Sequence, residues 1–271
     1  MTDELKIRVG GDESLATLIY LPGTHGDWTL NGGFRREIGN HVRLVEFTFP
    51  RTREWSLDNY ADAVEQKLLE NNIEQGWILA ESFASQIAWA WAGRNSKQFR
   101  IEGIILAGGF VRHPIIPAVE MAKVLTRNIP PSMLKMILWL YTLYARNREG
   151  DSPEIRSALR EFVERRTKVD LLAAAHRLEL IAQNDLRSIA RQTSVPVFYL
   201  TGLFDPIVPW PFVQPWLKNN CRNYGGWKII GASDHHVLGA AKPSAEQILK
   251  WLTQFDKSTK RSPGLSHNLR E

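Results

Sequence analysis

The sequence predicts an α/β protein whose doubly wound, mostly parallel sheet is interrupted by a helical insertion. Short apolar runs alternate with segments of helical periodicity, as in a sheet that helices cover on both faces. Residues 111–193 then show helical periodicity, several prolines and no convincing strand. We therefore expect a core of residues 1–110 and 194–256, a helical cap of residues 111–193 and a flexible basic tail of residues 257–271.

Seven segments have the length and apolar character of strands. The first alternates apolar and charged residues, which is typical of an edge strand. The second is continuously apolar, which indicates burial on both faces. The predicted strands are Leu5–Val9, Ala16–Tyr20, Val42–Phe49, Gly76–Glu81, Ile101–Ala107, Val195–Leu200 and Trp227–Ile230.

Helices are predicted between these strands and throughout the insertion. Ser56 is a good candidate for an N-cap, because its hydroxyl can accept a hydrogen bond from the first turn of the helix that follows. The predicted helices are Phe34–Asn40, Ser56–Glu70, 83–93, Met133–Arg146, one capped by Ser152–Glu154, Val169–Ile181 and Ser244–Gln254.

Ser82 stands between the predicted strand 76–81 and the alanine-rich helix that follows. A serine in this position is typical of a nucleophile elbow, G-x-S-x-G, in which a sharp turn presents the hydroxyl at the edge of the sheet. Here Ala80 and Ala84 replace the two glycines. The alternative is that Ser82 is only an N-cap.

Two more polar side chains follow later strands. Asp205 comes after strand 195–200, and the pair His235–His236 comes after the last strand. A serine nucleophile needs a base, and the base needs an orienting carboxylate. Because the carboxyl ends of parallel strands meet at one edge of the sheet, we expect Ser82, Asp205 and a histidine to meet there.

The composition limits the classes of function. One cysteine, Cys221, among 271 residues excludes an intrachain disulfide and a cysteine-based metal site. The net charge is +5, without a basic stripe interleaved with aromatics, so no nucleic-acid partner is expected. Residues 1–6 do not resemble a signal segment, and the longest apolar run, Met136–Tyr141, is too short to span a bilayer. We expect a cytoplasmic protein without metal or cofactor.

Together these motifs resemble the α/β-hydrolase superfamily over residues 5–256. Leu21–Thr24 is similar to its oxyanion loop, 80–84 to its elbow and Thr201–Pro209 to its acid loop. His236 resembles the catalytic histidine, since Pro243 follows it by seven residues. The resemblance implies a triad of Ser82, Asp205 and His236, with the backbone N–H groups of Thr24 and Phe83 as the oxyanion hole. A rival alignment on His25–Gly26 would make Asp27 a donor, and Glu81 is interpreted as non-catalytic.

The expected function is that of a serine esterase acting on a small or lipophilic acyl substrate. The same triad would serve acyl transfer, and the altered elbow leaves a non-catalytic binding protein as the alternative from another class. Aromatic and methionine side chains of the insertion either line an acyl pocket or pack the cap against the core. They are Met133, Met136, Trp139, Tyr141 and Tyr144.

Overall fold

The computed structural model describes residues 4–94, 96–149, 153–231 and 233–260. In this part of the chain seven strands form one sheet, in the order β1-β3-β2-β4-β5-β6-β7. The first strand is antiparallel to its neighbour, and every other pair is parallel. The strands are β1 (Lys6–Gly10), β2 (Thr17–Leu21), β3 (Arg43–Thr48), β4 (Gln75–Glu81), β5 (Arg100–Ala107), β6 (Val197–Gly202) and β7 (Tyr224–Ile230).

Ten α-helices accompany the sheet in the described residues. They are α1 (Gly32–Ile38), α2 (Leu57–Glu70), α3 (Ala84–Ala92), α4 (Ile116–Asn128), α5 (Pro131–Glu149), α6 (Pro153–Glu164), α7 (Lys168–Gln183), α8 (Arg187–Gln192), α9 (Trp210–Asn220) and α10 (Ala241–Lys260). None of these helices has both the length and the apolar character that a membrane crossing requires.

The predicted fold class is confirmed: the sheet is mostly parallel and has an apolar core on each face. One core lies under α2 and α3, and the other lies under α1 and α10. The central strand β4 is buried from Gly76 to Glu81, as its apolar run predicts. The five helices α4–α8 follow β5 and precede β6, within the stretch predicted to be the cap.

Some element boundaries differ from the prediction. Ser56 caps α2, and its side chain and that of Asn59 form a reciprocal capping box, as the sequence indicates. The last helix begins earlier than predicted and continues to Lys260, into the predicted tail, while residues 261–271 lie outside the described part. Helices α4, α8 and α9 have no counterpart with stated bounds among the predicted helices. Ser152, predicted to cap α6, also lies outside the described residues.

Candidate active site

The turn after β4 holds Ser82 in a left-handed backbone conformation with a φ of +50°. This conformation is strained for a residue with a side chain, and it occurs where a nucleophile is presented outward from a sheet. The Ser82 N–H donates to the Ala107 carbonyl on β5, and the Ser82 carbonyl accepts the Ser85 hydroxyl at 2.6 Å. Ala80 and Ala84 are fully buried beside it, so small side chains fill the positions that glycine occupies in the motif.

A continuous hydrogen-bond chain connects Ser82, His235 and Asp205. His235 Nε2 lies 2.8 Å from Ser82 Oγ, and His235 Nδ1 lies 2.8 Å from Asp205 Oδ2. Because an ionised carboxylate can only accept, Nδ1 carries the ring proton, which leaves Nε2 of a neutral imidazole to accept the Ser82 proton. This geometry is that of a nucleophile, a base and an orienting acid.

The prediction that His236 contacts Ser82 is wrong by one residue. His236 Nδ1 instead lies 2.7 Å from Glu81 Oε1, and the ring at hydrogen-bond distance from the serine is that of His235. The spacing to Pro243 favoured His236 but carries no information on which way each ring points. The backbone of the loop decides this: the His236 N–H donates to the Asp234 carboxylate at 3.0 Å, which helps to fix the turn.

Glu81 and His236 form a second carboxylate–imidazole pair, directly beside the pair of Asp205 and His235. Glu81 Oε2 accepts the Tyr20 hydroxyl at 2.5 Å, while its Oε1 contacts His236. Burial raises the pKa of Glu81, but His236, His25 and the Tyr20 hydrogen bond outweigh burial and lower the pKa to about 2. The carboxylate is therefore held ionised and tied on both sides, as expected for a structural group.

Asp205 is fully enclosed and held by the loop after β6. Its Oδ1 accepts the N–H groups of Ile207 and Val208 at 2.9 Å each, which leaves Oδ2 for His235. His113, at the entrance to the helical insertion, holds the same loop: its Nε2 donates to the Ile207 carbonyl at 3.1 Å. Burial lowers the pKa of His113, consistent with a neutral ring whose Nδ1 accepts the Ile115 N–H.

The loop after β2 lies directly against the nucleophile. A Cβ placed on Gly23 would come within 3.3 Å of the Ser82 Cβ, so the absence of a side chain lets the loop approach the serine. Gly26 has a φ of +81° and donates its N–H to the Gly23 carbonyl, which closes a tight turn around Thr24. Phe83 immediately precedes helix α3. The assignment of the Thr24 and Phe83 N–H groups as an oxyanion hole stays a prediction.

Two arginines from the insertion hold this loop in place, and no sequence pattern predicts either of them. The guanidinium of Arg177, on α7 and 2% exposed, donates to the Thr24 and Pro50 carbonyls at 2.9 Å each. Arg166, just after α6, donates twice to Asp27 Oδ2 at 3.0 Å. Burial raises the pKa of Asp27, but His25, Arg166 and Thr29 together hold it well below its usual range. Both contacts join segments more than 100 residues apart.

Side chains of the insertion also contact the two loops that flank the site. The Tyr144 hydroxyl on α5 donates to the Asp234 carboxylate at 2.7 Å, beside His235. The Phe162 ring on α6 packs against the rings of His25 and Tyr141. Ser82 itself is 7% exposed.

Solved structures with this architecture are numerous, although no protein-family model and no curated protein sequence matches the chain. The enol-lactonase from Burkholderia xenovorans LB400 is 16% identical with a TM-score of 0.73, over 92% of this chain and 96% of that one. MenH from S. aureus is 13% identical with a TM-score of 0.73, over 93% and 99%. An esterase from Thermogutta terrifontis is 18% identical with a TM-score of 0.72, over 93% of both chains.

These similarities show that the chain has the α/β-hydrolase fold. They confirm the fold that the resemblance implied. Identities of this size carry neither substrate nor residue roles from one protein to the other, so function has to be argued from the site itself.

Proposed function

We propose that this chain, which has the α/β-hydrolase fold, is a serine hydrolase that cleaves an ester-type acyl bond of a small or lipophilic substrate. The observation that carries the proposal is the unbroken hydrogen-bond chain from Ser82 through His235 to Asp205. Three residues of the required types, in the required order and with matched tautomers, support nucleophilic catalysis far better than any one of them alone.

In the first half-reaction, Ser82 Oγ attacks the carbonyl carbon while its proton moves to His235 Nε2. Asp205 stabilises the imidazolium that forms, without taking its proton. The carbonyl oxygen becomes an oxyanion, for which the N–H groups of Thr24 and Phe83 are the assigned donors. The closeness of Gly23 to Ser82 supports this assignment over the alternative with the N–H of Asp27.

Collapse of the tetrahedral intermediate breaks the ester C–O bond, and His235 returns the proton to the leaving alcohol. Water then repeats the sequence on the acyl-enzyme: His235 takes a proton from it, and Ser82 leaves protonated as the free acid is released. In this scheme Glu81 and His236 touch no reacting atom. Their part is to hold the loop that carries His235 against the turn that carries Ser82.

A fluorophosphonate probe tests this proposal, because it phosphonylates only a serine activated by a base. We expect labelling at Ser82, located by peptide mass mapping, and loss of labelling in Ser82→Ala. Hydrolysis of chromogenic esters should fall by about 10⁴-fold or more in the same variant. Ser85→Ala is unsuitable as a control, since the Ser85 hydroxyl binds the elbow. Ser14→Ala, on an exposed loop, is the matched one.

A folded protein that is not labelled would contradict the proposal and would favour a non-catalytic binding protein. Product analysis then separates hydrolysis from acyl transfer. Release of free acid in water alone supports the hydrolase, whereas a rate that depends on an added alcohol or thiol would point to a transferase.

A further inference from the structure

One side of α5 is unusually apolar for a helix. Large side chains recur on it at helical spacing and are 45–61% exposed, whereas Leu138, on the opposite side, is 8% exposed. These exposures exclude close packing against the core for most of this side, although the hydroxyl of Tyr144 reaches Asp234. The exposed residues are Met133, Met136, Ile137, Trp139, Leu140 and Tyr144.

Helix α4, which precedes it, has a second apolar stripe. Met121, Val124 and Leu125 lie at positions i, i+3 and i+4 and are 55–66% exposed. An exposed apolar surface of this kind indicates a surface that meets an apolar partner. We call the exposed sides of α4 and α5 the cap surface.

The charge on these two helices points to the kind of partner. Residues 116–149 contain five cations (Lys123, Arg127, Lys135, Arg146 and Arg148) and only two anions, Glu120 and Glu149. Lys135 is exposed among the apolar side chains of α5, and Lys123 is paired with Glu120. Apolar residues, interfacial aromatics such as Trp139 and Tyr144, and an excess of cations are the features of a helix that lies in the headgroup region of an anionic bilayer.

We propose that the cap surface docks on an anionic phospholipid membrane, with α5 parallel to the bilayer. Trp139, Leu140 and Met136 enter the acyl boundary, while Lys135 binds lipid phosphate. A second copy of the chain fits this surface less well, because the excess of cations on α4 and α5 of each copy would be brought together. Tyr144 connects the surface to Asp234, next to His235, so docking would bring the membrane to the side of the site that α5 contacts.

Vesicle co-sedimentation tests the docking independently of catalysis, because the full chain is used as Ser82→Ala. We expect it to bind vesicles of phosphatidylcholine mixed with phosphatidylglycerol, and to bind pure phosphatidylcholine more weakly. Trp139→Ser with Leu140→Ser should lower the partition coefficient by at least about tenfold, since two large side chains no longer leave water. Lys135→Glu should weaken binding to the anionic vesicles by roughly tenfold and should leave binding to the neutral ones unchanged.

Phe212→Ser is the matched control, because Phe212 is an equally exposed aromatic, at 68%, on α9 outside the insertion. Its vesicle binding should equal that of the parent. Circular dichroism and thermal unfolding establish that each variant is folded. Failure of the folded parent to bind anionic vesicles would overturn the proposal, as would equal binding by the double variant. A dimer seen by sedimentation equilibrium, without vesicle binding and lost in the double variant, would assign the surface to self-association.

Discussion

Two adjacent histidines have almost the same first contact and very different surroundings. His235 and His236 each place Nδ1 at 2.7–2.8 Å from a buried carboxylate, that of Asp205 or of Glu81. The other ring nitrogen of His235 contacts Ser82, which lies in a strained turn. In the second pair, the other carboxylate oxygen of Glu81 accepts the hydroxyl of Tyr20, which is buried in the core. A carboxylate–imidazole pair is thus not catalytic by itself; it becomes so where the second ring nitrogen meets a nucleophile that a substrate can reach.

The two pairs are also mechanically related. Glu81 and Ser82 are neighbours on one side of the contact, and His236 and His235 are neighbours on the other. The turn after β4 is therefore joined twice to the loop after β7. We infer that the Glu81–His236 contact fixes the position of the loop, so that the His235 ring reaches the serine at 2.8 Å.

The largest expected difference between the pairs is in catalysis. His235→Ala should lower kcat for a chromogenic ester by about 10⁴-fold, because the base is lost. His236→Ala should lower it only roughly tenfold, through a less well placed loop. Steady-state kinetics on variants shown to be folded by circular dichroism measures both. An inactive His236→Ala beside an active His235→Ala would reverse the roles assigned to the two rings.

The difference between the two histidines also shows why the sequence predicts only some of the residues of the site. Ser82 and Asp205 could be located because each follows a buried strand, and parallel strands bring their carboxyl ends together. The choice of His236 over His235 was wrong, because it depends on the backbone dihedrals of a single loop. Arg177 and His113 were not identified either, since their partners, Thr24 and Ile207, lie far away in sequence.

The pair of Glu81 and His236 should matter mainly for the stability of the fold. Glu81→Gln keeps the shape but removes the charge, and it should lower the free energy of unfolding at pH 7 by about 3 kcal/mol, as breaking a buried pair does. In the folded protein the pKa of Glu81 is about 2, below the ordinary value of 4.5. Its contribution is therefore fully present above pH 4.5 and is lost as the pH falls through 2.

Urea unfolding of wild type and Glu81→Gln between pH 7 and pH 3 measures this contribution. The difference in the free energy of unfolding between the two proteins should shrink by about half or more at pH 3. Glu74→Gln, at an exposed position just before β4, is the control and should show only a small difference in the free energy of unfolding at pH 7. A difference for Glu81→Gln that stays constant with pH would mean that the ionised state of Glu81 is not what stabilises the fold.

The smallest expected effect is that of Tyr20→Phe, at the far end of the second pair. The change removes one hydrogen bond to an ionised group, which should lower the free energy of unfolding by about 1.5–2 kcal/mol, and it should leave kcat within about threefold, because Tyr20 contacts no member of the first pair. Tyr199→Phe is the matched control. Tyr199 is equally buried, and its hydroxyl binds no carboxylate among the described residues, so the free energy of unfolding should change less in this variant.

A double variant tests whether Tyr20, Glu81 and His236 act as one unit. If they do, Tyr20→Phe combined with His236→Ala should lower the free energy of unfolding by less than the sum of the two single changes, since both act through the same carboxylate. Strict additivity, or a loss of activity in Tyr20→Phe comparable with that of His235→Ala, would show that the two pairs do not divide structure and catalysis between them.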